Sequence, residues 1–105
     1  MKTAILWSER ARRDLFEIGD FIARDKPGAA SRLVGGILDA VERTALFPTS
    51  GRIVPEVGRS DIREVILGYY RIVYQLNEST IVVLTVFESH SLIDELLCKV
   101  GELLR

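Results

Sequence analysis

A second cysteine, long apolar stretches and an excess of positive charge are all missing from this 105-residue chain, and each absence removes a class of function. A single cysteine, Cys98, can build neither a disulfide framework nor a zinc site. Set among Leu96, Leu97 and Val100, it reads as a core thiol, and no metal or cofactor is expected. No run of about 18 apolar residues occurs, so no membrane span is expected. The opening residues, Met1 to Ser8, meet charge at Glu9 before a secretory core can form, and the expected location is the cytoplasm. The formal charge is −1 and the pI about 5.8, which argues against direct DNA binding by the chain alone. That balance is uneven: positive charge exceeds negative by two through Ser60, and negative exceeds positive by three from Asp61 onward.

What is present is apolar content enough for one core, with 48% hydrophobic residues over a length too short for two, so 1–105 reads as a single domain. Residues 2–7 alternate loosely as a strand, and Ser8 offers a cap for a helix running to about Asp25. Ala11, Leu15, Ile18 and Ile22 fall on one face of that helix. Arg10 with Asp14, Arg13 with Glu17, and Asp20 with Arg24 stand four apart with opposite signs and read as a solvated face. Pro27 suits the first turn of a second helix, whose stripe is Ala30, Val34, Ile37 and Val41. Gly35-Gly36 inside it costs about 1 kcal/mol per glycine and suggests close approach of another backbone.

The breaker cluster from Phe47 to Gly51 ends the hairpin, and 52–58 reads as a loop or irregular edge. Three β-rich runs, 62–67, 70–76 and 81–87, are separated by links short enough for an antiparallel meander. Leu92, Ile93, Leu96, Leu97, Val100, Leu103 and Leu104 then predict a terminal helix. The expected architecture is α+β, with a helical hairpin packed on a mainly antiparallel four-stranded sheet and a C-terminal helix.

Residues Glu9 to Leu15, then Phe21-Ile22-Ala23 and Lys26 to Ala30, resemble the opening helices of ParE-type toxins. Phe47-Pro48-Thr49-Ser50-Gly51-Arg52, Val54-Pro55-Glu56, Arg63-Glu64-Val65 and Gly68-Tyr69-Tyr70-Arg71-Ile72-Val73-Tyr74 are similar, in order and spacing, to the central signature of the ParE/RelE superfamily. The resemblance covers roughly residues 5–88. It implies the toxin of a type II toxin–antitoxin pair, which arrests growth, stabilises plasmids and is neutralised by an antitoxin whose disordered tail folds over it.

Two activities are associated with that superfamily. RelE-like members cut messenger RNA in the ribosome, and ParE-like members poison DNA gyrase. Metal-free RNA cleavage needs several cations and a proton carrier. Arg71 matches one functional arginine of the nucleases, and His90 is the chain's only histidine, so these two are the catalytic candidates if it cuts RNA. The second basic cluster of such nucleases is replaced here by Phe87-Glu88-Ser89-His90, where a carboxylate repels phosphate, and the terminal segment has no tyrosine. The sequence therefore favours a ParE-like toxin that binds gyrase and makes or breaks no bond. The alternatives are a ribosome-dependent messenger nuclease and an inactive toxin-like remnant.

Arg52, Arg59, Arg63, Tyr69 and Arg71 are the candidate contacts to target or antitoxin, since guanidinium and phenol groups suit such surfaces. Arg63 and Arg71 can instead pair across the hairpin with Glu64, Gln75 or Glu88. By the period of two, Tyr70, Ile72 and Tyr74 share one face and Arg71, Val73 and Gln75 the other, which predicts the Arg71 face as the open one.

Overall fold

A computed structural model describes residues 3–89. The terminal helix, Cys98 and His90 lie outside the described residues. Strand β1, Ala4–Trp7, runs without a loop into helix α1, Glu9–Ala23. Ser8 makes the junction: its hydroxyl oxygen accepts from the Ala11 N–H at 3.0 Å as the cap, and the same hydroxyl donates to the Leu84 carbonyl at 3.0 Å. One side chain thus starts the helix and pins it to the sheet.

Helix α2, Pro27–Leu46, begins with the proline at its first turn and carries six buried residues, among them Ile37, Ala40 and Val41. The close approach between helices comes at Gly19, where a Cβ would stand 3.2 Å from Val34 Cγ2. The expectation for Gly35-Gly36 is corrected. A Cβ on Gly35 would meet nothing within 4 Å, and one on Gly36 would meet only the Leu67 side chain at 3.4 Å. Gly35 leaves an open groove rather than a backbone contact. No described helix is long and apolar enough to cross a membrane.

A single 3-10 turn, Pro48–Ser50, leads into β2, Arg52–Ile53, and then β3, Ile62–Leu67, β4, Tyr70–Leu76, and β5, Thr80–Glu88. The sheet order is β1-β5-β4-β3-β2, so five strands form where four were expected. The fifth is β2, whose two residues pair Arg52 with Glu64 and Ile53 with Arg63. Only β1 against β5 is parallel, as the intervening hairpin crossover demands. Gly68 sits at φ +59 in the β3–β4 turn, a conformation that favours glycine.

The main core lies between the hairpin and the sheet, with Ala11, Ile37, Val41, Ile72, Tyr74 and Val83 in contact. A second cluster of Val54, Ile62, Val73, Leu84 and Phe87 covers the opposite face. Val73 is therefore fully buried, and the predicted open face around Arg71 is largely closed. The register shift between Val73 and Tyr74 leaves Leu84 unmatched and switches the parity of β5. Val83 before it and Val86 after it both reach the helix-side core, which strict alternation forbids.

The solvated-face reading of α1 also needs correction. Asp14 is buried; its Oδ2 accepts the Thr85 hydroxyl and, at 3.2 Å, the Val86 N–H, while Oδ1 accepts from Arg10 Nε at 3.1 Å. Arg13 pairs with Glu9 at 3.3 Å, one turn behind, and not with Glu17; Asp20 and Arg24 pair as expected at 2.9 Å. Asp14 is the polar bolt between α1 and the bulged strand β5.

Replacing Asp14 by alanine leaves a buried hydroxyl and a buried N–H without an acceptor, and should cost about 2–4 kcal/mol in urea unfolding. A loss below about 0.5 kcal/mol would mark it as an ordinary surface charge. Tyr74 tests the other anchor. Its phenol accepts from the Gly51 N–H at 3.1 Å and donates to the Pro48 carbonyl at 2.7 Å, and burial raises its pKa above the usual tyrosine value. A raised folded pKa contributes stability that is complete below the unfolded value near 10 and lost as pH climbs through the folded one. Tyr74→Phe should flatten the alkaline limb of a stability–pH curve, and also lower stability at neutral pH by about 1–3 kcal/mol. An unchanged alkaline limb would contradict the assignment.

Candidate functional site

The edge of the sheet gathers two of the five candidate contacts around a carboxylate. Glu64, at the middle of β3, stands directly across from Arg52 on β2 and diagonally from Arg71 on β4, all on one face. Its side chain is 0% exposed. Oε1 accepts from Arg52 Nε at 3.0 Å and from Arg52 Nη2 at closer range, a fork that suits guanidinium geometry. Oε2 lies 3.5 Å from Arg71 Nη1, within ion-pair range. Neither Glu64 Oε2 nor Arg71 Nε has a hydrogen-bond partner among the described residues. The Arg52 pKa is raised, first by the hydrogen bond to Glu64 and then by that carboxylate's charge. Arg71 keeps only 22% of its side chain exposed.

The remaining candidates go elsewhere. Arg59 grips Asp61 with Nε at 3.0 Å and Nη2 at 2.7 Å, and that bond, followed by one from Gln75, lowers the Asp61 pKa. Arg63 donates to the backbone carbonyls of Ser60 at 3.1 Å and of Thr49 and Gly51 at 3.0 Å each. It staples the turn before β2, so its role is structural. Tyr69 projects from the β3–β4 turn, 68% exposed. Of the cross-strand partners expected for Arg71, Glu64 holds it; the expected carboxylate or amide partner of Arg63 is replaced by carbonyls.

Sequence reasoning missed Glu64 as the centre of this arrangement. The signal was there in Ile62, Glu64 and Ile66, which put a carboxylate between two isoleucines on one strand face. Chemically, the arrangement is poor in free cations. Arg71 points at a buried carboxylate, so an incoming phosphate would have to displace an ion pair before the guanidinium could stabilise its charge. Among the described residues, no three His, Cys, Asp or Glu side chains come together as a metal site.

The helical hairpin carries a second feature, an apolar groove of about 900 Å³ on its solvent side, walled by Trp7, Leu15, Phe16, Val34 and Leu38 and floored in part by Gly19 and Gly35. Phe16 is 73% exposed, an unusual area for an unpartnered aromatic ring.

With that geometry in place, similarity to known proteins can be weighed. Residues 5–92 match the family described as ParE toxin of the type II toxin–antitoxin system parDE. A Sinorhizobium fredii protein described as the candidate toxin Y4kP is 40% identical over 89 residues, spanning 82% of this chain and 88% of the relative. The fold is shared with the chromosomal ParDE system of P. aeruginosa, at TM-score 0.70 and 19% identity over 83% of this chain and 96% of that one. A mutant E. coli toxin RelE in the free state gives TM-score 0.70 and 16% identity over 97% of both chains. The Mycobacterium tuberculosis toxin–antitoxin complex RelBE2 gives 0.64 and 18%, covering 84% of this chain and 92% of its counterpart. The five-stranded sheet, the hairpin and the match across nearly all described residues agree, and the chain belongs to the ParE toxin family of type II toxin–antitoxin systems.

Proposed function

We propose that this toxin acts by binding, with DNA gyrase as its target, and that it cuts no RNA. One observation carries the reading: the guanidinium of Arg71, the position that resembles a nuclease arginine, is committed to the buried Glu64. The carboxylate of Glu88, at the end of β5, adds negative charge where a nuclease needs positive charge. The cognate antitoxin then neutralises the toxin by laying the apolar face of a helix into the groove between α1 and α2. The groove's length of exposed apolar wall, from Trp7 past Phe16 to Leu38, fits anchors at helical spacing better than a single strand.

Expression of the chain without antitoxin, followed by parallel readouts of plasmid supercoiling, DNA breaks and cleavage of translated messages, tests the target. Growth arrest with broken or relaxed DNA and intact messages is expected. Ribosome-dependent message cuts that Arg71→Ala abolishes would overturn the proposal in favour of a RelE-like nuclease, and unimpaired growth would mark the chain as an inactive relative.

A further inference from the structure

A second cleft, of about 430 Å³, opens on the far side of the hairpin between the last turns of α2 and the β2–β3 edge. It lies where β3 is only half covered: β2 pairs with Arg63 and Glu64 and stops, so Val65 and Ile66 border the cleft with no described strand beyond them. Arg43, Arg52 and Glu64 are the charged residues among the described ones that border it, and the Glu64 carboxylate, with no exposed surface, is already paired with Arg52 and Arg71. Their states differ. Arg43 sits exposed in the last turn of α2 and makes no ion pair with any described residue. Arg52 spends Nε and Nη2 on Glu64, which leaves its Nη1 donors for a ligand. Phe47, 69% exposed, and Ile66, 54% exposed, give the cleft an apolar rim.

We propose that this cleft receives the side-chain carboxylate of an aspartate or glutamate from a partner protein, carried on a segment whose flanking residues are apolar. The carboxylate lies between Arg43 and the free edge of Arg52, and its apolar neighbours rest on Phe47 and Ile66. Charge complementarity selects the sign, since the cleft offers unspent guanidinium donors and the one carboxylate among its described lining residues is already paired with two arginines. The apolar rim selects a peptide over a free ion. This site is separate from the α1–α2 groove and does not depend on which target the toxin poisons.

A displayed random-peptide library panned on the purified full chain, with parallel panning on Arg43→Gln, tests the proposal. Arg43 makes no ion pair with any described residue, so the variant should be folded, and its unfolding midpoint checks this. Peptides that share an acidic residue between apolar ones should be recovered on the wild type. They should bind Arg43→Gln at least about ten-fold more weakly, lose affinity when their acid is replaced by its amide, and shift the NMR amide signals of Thr44, Ser50 and Ile66. Recovery of no peptide that depends on Arg43, or equal binding of the amide counterpart, would overturn the site. Inorganic phosphate that shifts the same signals more strongly than the acidic peptide would also overturn it.

Discussion

A carboxylate with no exposed surface, Glu64, sets the terms for the whole edge of the sheet. Moving an ion of that size out of water costs several kcal/mol even after relaxation, and only close, well-shaped cations can offset it. Arg52 does so through Nε and Nη2 on Oε1, and Arg71 approaches Oε2 from the neighbouring strand β4. Three strands are thereby joined through one side chain. The two-residue strand β2 makes too few ladder bonds to stand alone, and its position follows from Arg52, from Arg63 donating to the carbonyls of Thr49 and Gly51, and from the Tyr74 phenol beneath Gly51. Gly51 has no room for a Cβ, which would stand 2.2 Å from the Tyr74 oxygen. The segment that most resembles the superfamily signature is thus mainly a device for closing a sheet edge.

That conclusion bears on activity. Arginines are attractive candidates for phosphate chemistry, yet a guanidinium aimed at a buried carboxylate is a structural part until something displaces it. Arg52 and Arg63 are spent on bonds within the fold and Arg71 faces Glu64, and on the reading proposed above recognition falls to the aromatic groove of the hairpin and the cleft beside Arg43.

Local rules made much of the architecture legible. Ser8 as a cap, Pro27 as a first-turn residue, the stripes through Ala11 and Ile37, and the β-rich runs after Asp61 each follow from neighbours within a few residues. What escaped is set by residues far apart in the chain. Asp14 looks like half of a surface pair with Arg10, because its acceptors' partners, Thr85 and Val86, are 71 and 72 residues away. Strand β2 looks like a loop because it is flanked by Gly51 and Pro55 and held by side chains on β3 and β4. The bulge at Leu84 flips the parity of β5 without any mark in its composition, and the face of Arg71 and Val73, expected open, is covered by Val54, Ile62, Leu84 and Phe87 from distant parts of the chain. For the site, the residue types were evident and their partners were not: Arg71 and Arg52 could be named, but the carboxylate that owns them could not.

The most direct test is a double-mutant cycle on unfolding free energy with Glu64→Gln, Arg71→Gln and the pair. If Glu64 holds Arg71 as a structural partner, removing Glu64 leaves Arg71 without its charge partner and removing Arg71 leaves Glu64 with Arg52 alone, and the two effects should couple by about 1–3 kcal/mol. Additivity within about 0.5 kcal/mol would contradict the account, and would return Arg71 to the set of cations free to act on phosphate.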